Sequence, residues 1–92
     1  MGVTAARKAR TILDNTECVL AIEWVCAAQA REFHGDLTAG AGAKAIRALL
    51  REHVPPLEED RFLHTDLEQA RELLAGGDLV AAAERATGGL FA

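Results

Sequence analysis

The feature that most constrains the fold is a predicted helix of about thirty residues, 4–33, whose middle is apolar on every side. Ten of the eleven residues from Cys18 to Ala28 are apolar, and Glu23 is the one charged residue among them. A helix that is apolar all round needs neighbours on every side. Thirty residues of helix span about 45 Å, whereas a compact chain of 92 residues is roughly 30 Å across. The helix therefore predicts packing partners in a larger bundle or in further copies of the chain.

Composition favours an all-α fold. Half of the residues are hydrophobic and 26% are charged, which is typical of a globular chain. Alanine is abundant, aromatic residues make up only 4%, and no alternating strand pattern is found. Ninety-two residues allow a single segment, 1–92, with a marginal core.

The long helix is expected to begin at Thr4, a residue typical of N-caps. It should end near Gly35, which favours a left-handed C-cap, and a loop is predicted at 36–42. Two apolar stripes follow the helix. The first contains Ile12, Val19, Cys26, Ala30 and Phe33, and the second contains Cys18, Ile22, Val25 and Gln29.

Three shorter helices are predicted within 43–87. The first of them, 43–53, carries one apolar stripe that includes Leu49 and Leu50. Val54-Pro55-Pro56 ends it because the residue before a proline disfavours helix. A short turn is expected at 57–61.

Capping signals place the last two helices. Thr65 and Glu68 have the spacing of a capping box, which predicts a helix that ends near Ala75. Asp78 is expected to cap the fourth helix, which ends near Ala86.

Charge and hydropathy limit the partners. The net charge of −4 argues against a nucleic-acid partner, and the basic cluster Arg7, Lys8 and Arg10 is interpreted as a solvated helix end or as part of an interface. The apolar run is too short to cross a bilayer, which takes about 20 residues. With no recognisable signal peptide, the sequence predicts a cytoplasmic protein with no membrane partner.

The residue inventory predicts no catalytic, cofactor-binding or metal-binding residue. The chain contains no serine and no tyrosine, which excludes those side chains as nucleophile or base. His34, His53 and His64 fall in different predicted elements without metal-ligand spacing. Glu58-Glu59-Asp60 is interpreted as a solvated acidic turn.

Three side chains within the apolar run need separate interpretation. Cys18 and Cys26 lie about 12 Å apart along the helix, too far for a disulfide, so both are expected to be reduced core residues. Glu23 is the one carboxylate there with a possible functional role, although an interfacial ion pair or hydrogen bond is the favoured interpretation.

Several strings, in order, resemble the C-terminal part of histidine ammonia-lyases, which belong to the aromatic amino acid ammonia-lyase family. They are MGVTAARKAR at 1–10, VLAIE at 19–23, AAQA at 27–30, LREHVPPLEEDRFL at 50–63, DLE at 66–68 and GDL at 77–79. Two departures are expected to fall in loops: His64-Thr65 replaces the family's Ala-Pro, and Gly40-Ala41-Gly42 replaces its Gly-Pro-Gly.

The resemblance implies an all-helical homotetramer with a central bundle of long helices. It implies elimination of ammonia from L-histidine to give urocanate, with a methylidene-imidazolone electrophile formed from Ala-Ser-Gly and a tyrosine as base. This chain contains neither, so the matching positions are interpreted as scaffold, and the chain alone is expected to be inactive. Its expected partners are the rest of the lyase or copies of itself through the Cys18–Ala28 segment. The alternative is a stand-alone helical oligomerisation or interaction module.

Overall fold

A computed structural model describes residues 2–35 and 38–89 of the chain, and within these ranges the fold is all-α. The helices are α1 (Gly2–Arg31), α2 (Ala41–Arg51), α3 (His64–Ala75) and α4 (Asp78–Thr87), and a 3-10 turn, Glu32–His34, extends α1. The prediction of one long helix followed by three short ones is confirmed. The predicted loop at 36–42 is only partly testable, because residues 36 and 37 lie outside the described ranges.

Helix α1 runs without a break because no glycine or proline interrupts it between Val3 and Arg31. The prediction that Thr4 is its N-cap was wrong, since the helix already includes Gly2 and Thr4 lies in its first turn. Its predicted end is close to the observed one. The 3-10 turn stops at Gly35, which has a positive φ of 57° but a ψ of −118°, so it is not the left-handed C-cap expected.

Helix α2 begins and ends two residues earlier than predicted. Gly40 is its N-cap in an extended conformation, and the backbone N–H of Lys44 donates to the Gly40 carbonyl at 2.9 Å. At the other end the backbone N–H of Val54 donates to the Leu50 carbonyl at 2.8 Å. The chain has already left the helix before Pro55, because a residue that precedes proline is pushed towards extended conformations.

Neither predicted side-chain cap of the last two helices forms. Helix α3 begins at His64 with Leu63 as its N-cap, so Thr65 lies inside the helix and makes no capping hydrogen bond. Helix α4 is capped by Gly77 in the left-handed conformation, and Asp78 is its first helical residue. The carboxylate of Asp78 still lies at the positive end of the helix dipole, where it is favourable.

The four helices pack as two pairs around a small core. Helix α3 packs mainly against the second half of α1, and α4 packs mainly against α2. The core contains seven buried residues, Ala21, Trp24, Ala28, Leu50, Val54, Ala70 and Leu73. Because three of these seven are alanines, close approach of helix backbones replaces the bulk of large side chains.

The chain is more extended than a compact monomer of its size. Its radius of gyration is 15.3 Å, compared with about 12 Å for a compact chain of this length. Its accessible surface is 6571 Å², whereas a folded monomer of 9.8 kDa is expected to expose about 5,200 Å². The chain therefore exposes about 1,400 Å² more than such a monomer, and α1 contributes to this surface because its residues from Gly2 to Thr16 are all exposed.

Candidate functional site

The candidate site is the uncovered surface of α1. Every residue from Gly2 to Thr16 is exposed, about 22 Å of helix at 1.5 Å per residue. Further along, the buried side chains of Ala21, Trp24 and Ala28 mark the face of α1 that packs against other described segments. The helix therefore contributes only part of its second half to the core of this chain.

Opposite that buried face lies an apolar stripe, interrupted by Glu23, which we call the outer stripe and define as Ile12, Val19, Cys26 and Ala30. At 100° per residue these four positions fall within about 40° of one another. All four are exposed, with 65% of Ile12 and 54% of Val19 accessible. The outer stripe corresponds to the first stripe predicted from the sequence, and Phe33 extends it into the 3-10 turn with 81% of its surface exposed.

More apolar side chains flank the outer stripe on both sides. Leu13, Leu20 and Ile22 are 47%, 44% and 45% exposed. Single exposed apolar residues are ordinary, but a contiguous patch of this kind marks an interaction surface. The second predicted stripe is divided in the structure, because Cys18 and Ile22 are exposed whereas Val25 packs against the core.

The polar residues singled out in the sequence lie on this open surface. Cys18 and Cys26 are free thiols, as expected, but both are exposed. Their assignment to the core was therefore wrong for this chain, although Cys18 lines a pocket with α3 and Cys26 lines one with residues of 54–63. Glu23 is exposed as well. Arg10 of the basic cluster forms an exposed ion pair with Asp14 at 3.2 Å, one helical turn away.

An ion cluster fixes the end of α1 to α2. The Oε1 atom of Glu32 accepts hydrogen bonds from Arg47 Nη2 at 3.2 Å and from Arg51 Nε and Nη2 at 3.2 and 3.1 Å. Arg51 also donates to the Val54 carbonyl at 3.1 Å. The hydrogen bond from Arg47, supported by Arg51, lowers the pKa of the Glu32 carboxyl. The cluster holds the 3-10 turn against α2.

Two further polar contacts position the irregular segment 52–63. The amide of Gln29 donates from Nε2 to the Leu57 carbonyl at 3.1 Å and accepts from the Leu57 N–H at 2.8 Å. Arg61 donates to the Pro55 and Pro56 carbonyls and pairs with Asp66 at 2.8 Å. The predicted turn at 57–61 is thus an open bend that side chains hold in place.

The histidines do not converge. His53 Nδ1 lies 3.2 Å from the Leu49 carbonyl, and the ring of His64 lies 6.0 Å from that of Phe62. Over residues 2–35 and 38–89 no three histidine, cysteine or carboxylate side chains form a potential metal site. Over the same ranges no helix is long and apolar enough to cross a membrane.

Sequence reasoning found the exposed stripe but missed the polar contacts that fix the end of α1. Glu32 is 15 residues from Arg47 and 19 residues from Arg51 along the chain, and Gln29 is 28 residues from Leu57. No helical or strand spacing connects such positions. Only the fold brings them together.

Comparison with known proteins points to one family. The family model described as "Aromatic amino acid lyase" matches residues 1–52. Proteins named histidine ammonia-lyase from Gloeobacter violaceus and Symbiobacterium thermophilum are each 50% identical over 90 residues, covering 98% of this chain and 18% of the relative. The protein of the same name from Myxococcus xanthus is 45% identical over 87 residues, 95% of this chain and 17% of the relative.

The chain therefore spans less than a fifth of the length of these curated relatives. No solved structure matches it significantly.

Proposed function

Because the chain belongs to the aromatic amino acid lyase family, we propose that it forms part of the helical scaffold of a histidine ammonia-lyase. In this proposal the complete enzyme converts L-histidine to urocanate and ammonia in histidine catabolism, as a cytoplasmic homotetramer. The present chain contributes packing surface and no reacting group.

The observation that carries the proposal is the uncovered apolar surface of α1. The chain as a whole, with polar and apolar surface counted together, exposes about 1,400 Å² more than a compact monomer of its mass, and a standard protein interface takes about 800 Å² from each partner. Val19 and Ile12 lie at the centre of that surface and are more than half exposed. Such a helix face is what remains when a bundle helix is separated from its neighbours.

The residue content supports a role without chemistry. The methylidene-imidazolone group implied by the resemblance forms from Ala-Ser-Gly, and this chain contains no serine. Its residues therefore do not fit that group, and the family's tyrosine base is also missing. In the proposal, both are supplied by other parts of the lyase. The chain alone produces no urocanate.

The partner of α1 in this proposal is the rest of the lyase or another copy of the chain. One face of the Cys18–Ala28 segment packs against α3, and the side chains of Leu20 and Ile22 are exposed. Helices of the remaining enzyme pack on those open sides. The same contacts cover the thiols of Cys18 and Cys26, which restores the buried environment expected from the sequence.

A chimeric enzyme tests the proposal. The 90 matching residues of the Gloeobacter violaceus protein are replaced by those of this chain, and urocanate formation from L-histidine is followed by absorbance. We expect an active chimera and no activity from the isolated chain. An inactive, unassembled chimera would contradict the scaffold role, and turnover by the isolated chain would contradict the absence of chemistry.

Matched substitutions locate the interface within the chimera. Val19→Glu places a charge on the outer stripe and is expected to abolish assembly and activity. Val80→Glu is the control, since Val80 is the same residue type, lies on α4 and is 44% exposed, compared with 54% for Val19. An equal loss of assembly and activity in the two variants would show that the interface is not specific to α1.

The alternative, a stand-alone oligomerisation module, is favoured by one specific observation. Ile12, Val19 and Cys26 recur every seven residues, the spacing of helices that pair as coiled coils. Lys8 and Glu23 lie within about 40° of Val19 around α1. An antiparallel pair sets Lys8 of one copy near Glu23 of the other, whereas a parallel pair sets like charges together.

A distance measurement distinguishes the two arrangements. A nitroxide on Cys26, in a Cys18→Ala background, is expected to lie about 30 Å from its counterpart in an antiparallel pair in which Lys8 faces Glu23. Labels in a parallel pair lie side by side, and a separation of about 10 Å would contradict the antiparallel arrangement. A labelled chain that remains monomeric would remove this alternative altogether.

A further inference from the structure

A shallow depression of ≈ 310 Å³ lies on the outer stripe near the middle of α1. Its walls are Ile12, Asn15, Thr16, Val19 and Leu20. Positions 12, 15, 16 and 19 have the i, i+3, i+4, i+7 spacing of the hole that receives a side chain of a facing helix in a coiled coil. All five residues are exposed, so the depression is open to another molecule.

The polar groups of the depression indicate what fits it. The hydroxyl of Thr16 donates to the Ile12 carbonyl at 2.7 Å and is therefore satisfied within the helix. The remaining polar side chain in the wall is that of Asn15, whose amide carries both donors and an acceptor. Because two such amides are complementary to each other, a second copy of the chain is a suitable occupant.

Charges on the same side of α1 are placed symmetrically about the depression. Lys8 lies seven residues before Asn15, Glu23 lies seven residues after Thr16, and both charged residues are exposed. A two-fold axis that passes between Asn15 and Thr16 therefore brings Lys8 of each antiparallel copy level with Glu23 of the other. A shift of one heptad sets Lys8 against Ala30 in one direction and against Thr16 in the other. Both ion pairs thus form only when the axis crosses the depression.

The apolar residues of the depression follow the same symmetry. Ile12 lies three residues before Asn15, and Val19 lies three residues after Thr16. The same axis therefore sets Ile12 of each copy against Val19 of the other. These two side chains are 65% and 54% exposed in the single chain, and the pairing covers both.

We propose that a second copy of the chain packs antiparallel on α1, with the Asn15 side chains of the two copies hydrogen-bonded to each other beside the two-fold axis. The proposal rests on the α1 interface of the proposed function, and it names the occupant and the register of that interface. A single buried asparagine in such a seam costs stability and specifies the register. Asn15 therefore determines specificity, whereas Ile12 and Val19 supply the apolar contact.

Disulfide formation between single-cysteine variants measures the register. The endogenous thiols are first removed by Cys18→Ala and Cys26→Ala. The proposed axis then sets the two thiols of Asn15→Cys about 1.5 Å apart along the helix direction, and those of Ile12→Cys about 10 Å apart. A disulfide needs Cα atoms within about 7 Å of each other. On oxidation with diamide, non-reducing electrophoresis should therefore show dimers of Asn15→Cys but not of Ile12→Cys.

A mixture of two variants checks the facing residues. Ile12→Cys chains mixed with Val19→Cys chains are expected to cross-link to each other, because these positions face each other across the axis. Cross-linking of Ile12→Cys with itself would indicate a parallel pair or another register. That result, or the absence of dimers from Asn15→Cys, would overturn the proposal.

Asn15→Leu tests the role of the amide pair. Leucine avoids the burial of an amide, so association measured by sedimentation should tighten by at least about tenfold. The register should be lost at the same time, so that Ile12→Cys now cross-links with itself. Thr11→Leu is the control and should change neither result, because Thr11 is also exposed but lies about 100° from Ile12 around α1. Continued absence of Ile12→Cys dimers in the Asn15→Leu chain would refute the role assigned to Asn15.

The outcomes separate this proposal from the scaffold role. The cross-linking experiments use the isolated chain, whereas the chimeric lyase tests the scaffold role through its activity. An active chimera combined with self-cross-linking of Ile12→Cys would refute this register and leave the scaffold role standing. An inactive chimera combined with the expected cross-links would do the reverse.

Discussion

Gln29 connects α1 to the irregular segment before α3 through both ends of its amide, and Gln29→Ala removes both hydrogen bonds at once. The two bonds join Gln29 to the N–H and the carbonyl of Leu57, at 2.8 and 3.1 Å. An intramolecular hydrogen bond contributes about 0.5–1.5 kcal/mol. Because both residues are only partly buried, water replaces some of the loss, and we expect a decrease of about 1–2 kcal/mol in the free energy of unfolding.

Urea unfolding followed by circular dichroism measures this loss, at one fixed protein concentration because self-association raises apparent stability. The midpoint should fall while the dependence on urea stays unchanged, which is the mark of an altered stability. For a chain of this size the expected loss corresponds to a decrease in melting temperature of about 4–16 °C.

Two further variants make the reasoning about Gln29 refutable. Gln69→Ala is the control, because Gln69 is a half-buried helical glutamine whose side chain makes no hydrogen bond within the described ranges. Gln29→Glu retains an acceptor for the Leu57 N–H but loses the donor to the Leu57 carbonyl, so its stability should lie between those of the wild type and Gln29→Ala. Equal losses for Gln29→Ala and Gln69→Ala would show that the contact with Leu57 contributes nothing.

Two other perturbations test local features of the fold. Gly77→Ala is expected to lower the free energy of unfolding by about 1 kcal/mol or more, because Gly77 has a φ of 89°. Gly2→Ala is the control and should be neutral or stabilising, because Gly2 is helical and has open space around it. Equal changes in melting temperature for the two variants would contradict the backbone argument. Glu32→Gln tests the ion cluster: a lowered pKa gives a stabilisation that is present above the ordinary value of 4.5 and lost as the pH falls below it. The difference in urea midpoint between wild type and Glu32→Gln should therefore be constant near neutral pH and disappear in acid, and a difference that persists at pH 2 would refute the ion-pair origin.

The predictions from sequence succeeded where the residues of a single element determine its structure without contacts from other parts of the chain. The outer stripe follows from helical spacing alone, which sets Val19 and Ile12 on one face of α1. The break between the last two helices was likewise predicted, with one helix ending near Ala75 and the next beginning at Asp78, and the structure has the same break.

The predictions failed where the surrounding structure overrides a local signal. Thr65 has the spacing of a capping residue, yet the helix starts at His64 with Leu63 as its N-cap. Gln29 was placed in an apolar stripe, and its amide instead binds Leu57, 28 residues away. Such contacts depend on how the elements pack, which spacing along the chain does not encode.

The most direct test of the account is the mass of the purified chain in solution. Its central claim is that α1 exposes more apolar surface than this chain covers, so the surface must be covered by another molecule or another part of a larger protein. Sedimentation equilibrium is expected to give a mass above 9.8 kDa that rises with concentration, and Val19→Glu should return it to that of a monomer while Val80→Glu leaves it unchanged. A wild-type chain that sediments as a soluble monomer at every concentration, with Val19 and Ile12 protected from solvent, would contradict the account.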